Sequence, residues 1–313
     1  MTVIPVDGGL RAALAGGRFV VTSELGPPRG PDTQGLQAKA ALLRDWVDAA
    51  NVTDNQGANV RLSALAGCVL VQQAGVDPVL QMTTRDRNRI GLQSDLIGAA
   101  ALGLTNVLLL TGDHPKFGDH PEAAPVFDID SIQLLWTAKL MRDEGRLLSG
   151  RRVEPPPDFF LGAVENPFSP PVGFRARRLG KKVAAGARFV QTQFVFDVEA
   201  FAGWMVEVRD LGLHERCKII AGVGPIRTPR ALEHMRSNVP GLSIPQPVVD
   251  RLSRVAPGAF ADEGIRLCAE IIEQVREIPG VAGVHVMAFG HEEHIPTILR
   301  QAGIPQRTPE NAH

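Results

Sequence analysis

The sequence predicts an α/β fold: a single-domain (β/α)8 barrel, or TIM barrel, with extra helices before its last strand. Three observations lead to this prediction. Short apolar or β-branched runs alternate with helical patterns, as in parallel sheets crossed by helices. Eight such runs occur, the number that closes this kind of barrel. The 313 residues contain no evident linker, so we expect one domain over residues 1–313, with the barrel at about 18–303 and peripheral segments at 1–17 and 305–313.

The predicted strands mostly lack strict alternation of polar and apolar residues, which is typical of strands buried on both faces. They cover residues 18–24, 50–54, 78–84, 106–112, 159–164, 188–196, 217–224 and 284–289. The Pro-rich segment 151–159 precedes the fifth strand. Because the alternation resumes unchanged after it, we interpret this segment as a loop within the domain.

Helix signals occupy the segments between the strands. Apolar residues recur on one helical face over residues 90–100. Asp128 or Asp130 can cap the helix that follows the fourth strand, and Asp197 can cap the helix after the sixth. Residues 246–277 add helix before the last strand.

Composition excludes several classes of protein. The formal net charge of −1 provides no basic field for nucleic acid or an anionic membrane, so a small ligand is the better expectation. The three cysteines stand far apart without C-x-x-C spacing, which predicts neither a disulfide framework nor a zinc site. No window approaches roughly 18 uncharged apolar residues. We therefore expect a cytoplasmic protein without a metal.

Polar residues follow most of the predicted strands. In (β/α)8 barrels the carboxyl ends of the strands meet at one mouth, where reacting groups lie. We therefore expect the site to be built from these strand-end residues. They are Glu24, Thr53, Asp54, Gln81, Asp113, Glu165, Asn166, Gln193, His291 and Glu292.

Two of these residues have chemically informative surroundings. Asp113 follows Gly112, which permits a tight turn and close approach of a ligand, although Asp113 could equally cap the turn. Gln193 shares a strand face with Gln191, and its amide offers a donor and an acceptor to the edge of a heterocycle. A solvated strand end is the alternative for Gln193.

Other patterns are weaker. Arg85, Arg87 and Arg89 surround a helix start and could bind an anion, but an ion-paired turn is the favoured interpretation. His291 and His294 lack the H-E-x-x-H spacing of a zinc protease. No G-x-G-x-x-G follows a strand, so a separate dinucleotide-binding domain is not indicated.

Several ordered segments together resemble the methylenetetrahydrofolate reductase family. They are "TSELGPPRG", "NVTDN", "TTRDRNRIGLQSDLIGAAALGLTNVLLLTGDHP", "AGARFVQTQFVFD" and "IIAGVGPI". The resemblance extends over about residues 18–303, and residues 83–115 are most similar to the short reductases that lack a regulatory domain.

This resemblance implies a barrel that reduces 5,10-methylenetetrahydrofolate to 5-methyltetrahydrofolate with NADH or NADPH, usually through a flavin at its mouth. It assigns Glu24 as the general acid for ring opening and places Asp113 near the flavin and the pterin. It also implies that Gln193 contacts the pterin. The residues that it assigns to the cofactor are Thr53, Gln81, Thr111, Gly112, Asp113, Glu165, Asn166, Lys181 and Lys182.

The chain departs from the family pattern mainly around the cofactor. Gln81 stands where many members have histidine, and the chain has no tyrosine, so Glu165 and Asn166 follow the fifth strand instead. The basic pair is Lys181 and Lys182, and the position of a substrate-packing phenylalanine in some members aligns near Pro229. FAD, FMN and a flavin-free reaction are therefore all retained.

Two rival functions are also retained: a pterin-binding methyltransferase and a non-catalytic folate-binding subunit. The scattered cysteines argue against self-contained methyl transfer, and the presence of both Glu24 and Asp113 argues against a pure binder. The expected partner is a tetrahydrofolate derivative, with a homo-oligomer or a partner reductase subunit possible. No nucleic acid or membrane partner is expected.

Overall fold

Eight parallel strands form a closed barrel in chain order in the computed structural model, which describes residues 9–239 and 241–307. The strands are β1 (Val20–Leu25), β2 (Ala49–Val52), β3 (Pro78–Thr83), β4 (Asn106–Leu110), β5 (Phe160–Glu165), β6 (Phe189–Phe194), β7 (Lys218–Val223) and β8 (Val281–Val286). The predicted (β/α)8 fold class is confirmed.

Apart from the first helix, which precedes the first strand, the helices follow the strands and cover the outside of the barrel. They are α1 (Leu10–Ala15), α2 (Gln34–Leu43), α3 (Ala64–Gln73), α4 (Arg89–Ala101), α5 (Ser131–Glu144), α6 (Arg175–Ala185), α7 (Val198–Asp210), α8 (Leu213–Arg216), α9 (Pro229–Asn238), α10 (Gln246–Ser253), α11 (Phe260–Arg276) and α12 (Ile295–Gln301). The extra helix predicted before the last strand corresponds to α10 and α11.

The last strand begins three residues earlier than the sequence predicts. Gly283 pairs with Val20 of β1, and a Cβ added at Gly283 would lie only 2.2 Å from the Val20 carbonyl oxygen. Glycine is therefore required by close approach of two backbones. Pro279, Gly280 and Gly283 together suggest a turn in the sequence, which explains why the strand was predicted at 284–289.

The amino-terminal end of the barrel is closed by α1. Leu10 and Leu14 are buried with inward-facing strand residues such as Val20, Phe189 and Ile220. Burial of this apolar surface stabilises the end of the barrel that lies opposite the predicted mouth. The segment 1–17 was predicted to be peripheral; its residues 10–15 lie outside the strands but contribute to the core, and residues 1–8 lie outside the described part.

The described end of the chain is tied to the same side of the barrel. Arg307 donates to the carboxylate of Asp48 at 2.9 Å and to the carbonyl oxygen of Phe19 at 3.2 Å. Asp48 is buried and also accepts from Arg18 at 2.7 Å. Residues 308–313 of the predicted tail lie outside the described residues.

The three cysteines are buried and unpaired, with their thiols in separate parts of the core. Burial raises the pKa of Cys217 to about 12, so this thiol stays protonated and unreactive at neutral pH. Across residues 9–239 and 241–307, no helix combines the length and the apolarity needed to span a bilayer.

Candidate functional site

A cavity of about 770 Å³ opens at the carboxyl ends of the strands. Most of the residues predicted for the site line it together. They are Glu24, Gln81, Gly112, Asp113, Glu165, Asn166, Lys182 and Gln193. Asp54 also lines it. Five other predicted residues are not part of the lining: Thr53, Thr111, Lys181, His291 and Glu292. The volume is that of a typical small-molecule site.

Glu24 is placed by β1 at the floor of this cavity. Its Oε1 accepts a hydrogen bond from Gln56 Nε2 at 2.8 Å, and its Oε2 accepts a longer one from Gln81 at 3.5 Å. Burial raises the pKa of Glu24 to about 7, the two amide donors lower it in part, and the charge of Glu292 adds to the rise. A carboxylic acid with this pKa retains a proton near neutral pH and can donate it.

The raised pKa of Glu24 has a consequence for stability that can be measured. Below pH 4.5 the folded and unfolded states both hold the proton, whereas between pH 4.5 and about 7 only the folded state does. Stability therefore falls as pH rises through this window, by at most about 3 kcal/mol, since cavity water screens the charge. We expect Glu24→Gln to be more stable than the wild type near pH 8 and equally stable near pH 4, as measured by urea unfolding.

The outcome that contradicts the raised pKa is equal stability of Glu24→Gln and the wild type at both pH values. Glu293→Gln is a matched control, because Glu293 is exposed and its pKa is lowered by its hydrogen bonds. Its substitution is expected to give no gain near pH 8.

Asp113 stands on the turn after β4. Gly112 has φ +86°, and a Cβ there would lie 3.0 Å from Thr83 Cβ, so the tight turn favours glycine. The Arg85 guanidinium donates to the Asp113 carbonyl oxygen at 3.3 Å. The exposed Asp113 carboxylate accepts no hydrogen bond from any described residue. Its side chain therefore does not cap the turn, and Asp113 lines the cavity with a carboxylate that is free to bind a ligand.

The arginines around the start of α4 are each paired with a carboxylate. Arg85, which is only 2% exposed, lies 2.7 Å from Asp86. The other two pairs are Arg87 with Asp95 at 2.9 Å and Arg89 with Asp128 at 2.8 Å. Arg87 also pairs with Asp54. The structure agrees with the favoured interpretation of an ion-paired turn, and the first turn of α4 is capped by the Asn88 side chain.

A buried polar network of Thr22, Asn51, Gln191 and His285 reaches the cavity, which Gln191 and His285 help to line. Gln191 Nε2 donates to Asn51 Oδ1 at 3.0 Å and to Thr22 Oγ1 at 3.1 Å, and its Oε1 accepts from Asn51 at 2.6 Å. The Gln191 amide is thus committed to the protein. The Gln193 side chain accepts a hydrogen bond from Phe194 N through its Oε1. Its amide nitrogen donates to no described residue and is available to a ligand.

His285 completes this network. Its Nδ1 lies 2.9 Å from Thr22 Oγ1, and burial lowers the pKa of the imidazole to about 3. The ring is therefore neutral at any physiological pH. It lines the cavity as a polar group without charge.

The basic residues predicted for phosphate binding have other contacts. Glu165, 3% exposed, lies 2.6 Å from Arg178 Nη2 and 3.0 Å from Lys182 Nζ. Lys181 is exposed, with its ammonium 4.9 Å from the centre of the Phe174 ring. The Thr53 hydroxyl is buried without a partner among the described residues, and Thr111 is exposed beside the turn.

One group outside the cavity lining resembles a metal site. The ligand atoms of His291, Glu293 and His294 lie within 4.8 Å of one another, on a turn where the first two side chains are exposed. His291 Nδ1 is 3.2 Å from a Glu293 oxygen, so the group also has an internal ion-pair explanation. The expectation that the protein uses no metal stays a prediction.

Comparison with known proteins adds the family. A model described as methylenetetrahydrofolate reductase matches residues 9–303. The chain belongs to the methylenetetrahydrofolate reductase family. It is 26% identical over 264 residues to a probable methylenetetrahydrofolate reductase (NADPH) of Caenorhabditis elegans, which covers 82% of this chain and 36% of that protein. It is 26% identical over 293 residues to methylenetetrahydrofolate reductase 1 of Schizosaccharomyces pombe, which covers 90% and 45%.

The chain thus spans less than half the length of these two methylenetetrahydrofolate reductases. Among solved structures, a protein from Clostridium thermocellum superposes with a TM-score of 0.65 at 15% identity, covering 94% of this chain and 97% of that one. That structure is described as binding two copies of 5-methyl-5,6,7,8-tetrahydrofolic acid. At this identity the likeness shows the shared fold.

Sequence reasoning missed several residues that shape this site in a methylenetetrahydrofolate reductase family member. One of them is Gln56, which lies in the short 3-10 helix Gln56–Ala58. Glu292 was among the predicted strand-end residues; it is buried, with its carboxylate 2.7 Å from Lys39 Nζ, and does not line the cavity. Arg178 was also missed, and Lys181 was predicted instead. Arg178 lies four residues before Lys182, which is one helical turn, and this spacing could have indicated it. His285 lies between two valines inside β8. The only signal in the sequence was that it shares a strand face with Gly283, two residues earlier.

Proposed function

We propose that this chain reduces 5,10-methylenetetrahydrofolate to 5-methyltetrahydrofolate, or catalyses the reverse, with hydride from NADH or NADPH. The observation that carries the proposal is Glu24, a carboxylic acid with a pKa of about 7 in the same cavity as Asp113 and Gln193. Membership of the methylenetetrahydrofolate reductase family supports it.

The reaction needs a proton donor at one nitrogen. The five-membered ring of the substrate opens when its bond from the methylene carbon to N10 breaks, and N10 leaves as an amine that takes a proton. The methylene carbon, now part of an iminium ion at N5, accepts hydride and becomes a methyl group. Glu24 is the group we assign to protonate N10, since its burial keeps the proton on the carboxyl near neutral pH.

The other polar residues are suited to holding the pterin. Gln193 can donate and accept hydrogen bonds along a pterin edge, and Asp113 can accept from ring N–H groups. A carboxylate at Asp113 also stabilises positive charge that develops nearby as the iminium forms. The solved neighbour that binds a methylated tetrahydrofolate has the same fold, which supports a folate ligand in this cavity.

The described residues fit a flavin in part. Gly112 and Asp113 leave space and an acceptor for a ring system at the mouth. However, each Arg and Lys of the described cavity lining is ion-paired: Arg85 with Asp86, and Arg178 and Lys182 with Glu165. The single carboxylate of Glu165 balances only one of the two positive charges of Arg178 and Lys182, so this group keeps one net positive charge beside the cavity. A flavin, when bound, would carry hydride from the nicotinamide to folate, and direct transfer from the nicotinamide is the alternative.

The test is an absorbance spectrum of the purified protein followed by an NADH or NADPH oxidation assay with methylenetetrahydrofolate. We expect turnover with one of the two nucleotides. Bands near those of oxidised flavin, with FAD or FMN released on denaturation, would establish the cofactor, whereas a colourless protein with turnover would establish direct transfer. Absence of turnover in both directions, with either nucleotide and with added FAD or FMN, would overturn the proposal.

The rival functions give different results in the same preparation. A folate-binding subunit would bind 5-methyltetrahydrofolate but oxidise no nucleotide on its own. A methyltransferase would require an added corrinoid or thiol acceptor and would consume 5-methyltetrahydrofolate without NAD(P)H. Both outcomes are distinct from the expected nucleotide-dependent turnover.

A further inference from the structure

A second cavity, of about 470 Å³, lies at the opposite end of the barrel from the mouth. It opens beside α1 at the amino ends of β5 and β7, where Phe160 and Lys218 are the first residues of their strands. No residue lines both this cavity and the one at the mouth. Its volume is within the range of small-molecule sites.

The lining of this second cavity is strongly basic. It contains five cationic residues and two acidic ones, in a chain whose formal net charge is −1. Arg11 and Arg142 are paired with carboxylates at 2.8 and 2.7 Å. The other three cations have no carboxylate of any described residue within ion-pair distance, and they are Arg188, Arg216 and Lys218.

The sheet holds two of these unpaired cations side by side. Lys218 N donates to the Arg188 carbonyl oxygen at 2.9 Å, which joins the amino ends of β6 and β7. Lys218 shares a strand face with Ile220, which packs inside the barrel against α1, so the Lys218 side chain lies on the inner face of β7. Like charges placed together repel each other. Folding alone does not account for this arrangement, whereas a bound anion does.

An aromatic ring lies beside these cations. Phe160 lines the cavity and is partly exposed, and its ring stacks on that of the fully buried Phe189 with 5.1 Å between the ring centres. Leu14 and Phe159 add apolar surface to the lining and are 2% and 1% exposed. The cavity therefore suits a ligand that joins a multiply charged anion to a flat ring.

We propose that this second cavity binds a diphosphate group, free or carried by a nucleoside. Guanidinium groups bind phosphate oxygens through paired hydrogen bonds, and an ammonium contributes a further positive charge. The several negative charges of a diphosphate match Arg188, Arg216 and Lys218, and the base of a nucleotide would stack on Phe160. This ligand is additional to the folate and the nicotinamide of the proposed function.

The position of the site suits an effector and not a substrate. Phe189 and Ile220 are fully buried and fill the barrel interior next to this cavity, so a ligand bound here does not contact a folate at the mouth. A ligand that binds only the folded chain stabilises it. Binding is therefore expected to raise the thermal midpoint of the protein.

The test is calorimetric binding of pyrophosphate and of ADP to the full chain, without divalent cations, folate or nicotinamide. Arg188→Gln and Lys218→Met each remove one charge, and each should weaken the binding of both ligands about tenfold. Arg177→Gln is the matched control, since Arg177 is exposed and lines neither cavity. It should leave both affinities unchanged.

The same titrations identify the source of the diphosphate. Tighter binding of ADP than of pyrophosphate would identify a nucleotide, and Phe160→Leu should then remove the difference without changing pyrophosphate binding. Equal binding of the two would identify the free diphosphate.

A stability measurement separates ligand binding from a structural role. Without ligand, Arg188→Gln and Lys218→Met are expected to match or exceed the thermal midpoint of the wild type, because each relieves repulsion between like charges. Pyrophosphate should raise the midpoint of the wild type more than that of either variant. A lower midpoint of both variants without ligand, together with unchanged pyrophosphate binding, would show that the cations serve the fold and would overturn the proposal.

Three other results would overturn it. The first is that neither pyrophosphate nor ADP binds at millimolar concentration. The second is ADP binding that NADH displaces and that Arg188→Gln leaves unchanged, which would place the ADP at the mouth. The third is citrate binding as tight as that of pyrophosphate, which would show a general attraction of anions. Since these measurements use no folate, their outcome is independent of whether the chain reduces methylenetetrahydrofolate.

Discussion

Glu24→Gln is expected to lower the rate of methylenetetrahydrofolate reduction by about 10²- to 10⁴-fold, the usual contribution of a general acid. Glutamine has nearly the same shape but cannot give a proton to the leaving N10. The variant should still bind 5-methyltetrahydrofolate, and if the protein carries a flavin it should still oxidise NAD(P)H with an artificial acceptor. Equal loss of nucleotide oxidation and folate reduction would contradict an acid role for Glu24.

The pH profile gives a second test of the same role. Because the protonated acid is the active form, kcat/KM for the folate should fall as pH rises through about 7, the pKa of Glu24. Gln56 donates to the Glu24 carboxyl at 2.8 Å and lowers its pKa. Gln56→Leu should therefore move the falling limb to higher pH. A limb that moved to lower pH would show that another group controls it.

Asp54→Ala is expected to have the largest effect on folding, a loss of about 3 kcal/mol in the free energy of unfolding. The buried Asp54 carboxylate accepts from Thr83 N at 2.8 Å and from Thr83 Oγ1 at 3.0 Å, and it also pairs with Arg87. Its removal leaves these donors unsatisfied at the join between the loop after β2 and the end of β3. Urea unfolding near pH 7 measures the effect.

Asp95→Ala is the control for this prediction. Asp95 pairs with the same arginine at 2.9 Å, but its side chain is 36% exposed, so its loss should cost less than about 1 kcal/mol. If Asp54→Ala and Asp95→Ala had the same small effect, Asp54 would not join the two loops as described. Because the loop after β2 carries Gln56 and the strand β3 carries Gln81, Asp54→Ala should also reduce folate turnover.

The barrel and the place of its site could be predicted from the sequence because both depend on local patterns. Eight apolar runs separated by helices permit few topologies, and parallel strands bring their carboxyl ends to one mouth. Glu24 ends a run, Asp113 follows one, and Gln81 and Gln193 lie in the later parts of theirs; all four line one cavity. The strand whose position was predicted wrongly is β8. It contains Gly283, which lies against the backbone of Val20, and the sequence does not indicate this contact.

The sequence by itself therefore determined the barrel fold, the position of the site at the carboxyl ends of the strands, and most of the polar residues that lie there. Only the tertiary structure decided their chemical states. Glu165 forms ion pairs with both Arg178 and Lys182, and the Gln191 amide is hydrogen-bonded to Asn51. The Glu24 pKa depends on burial and on Gln56 and Glu292, which come from distant segments. The physical reason is that ion pairing, hydrogen bonding and desolvation act over a few ångströms in space, between residues that no sequence spacing connects.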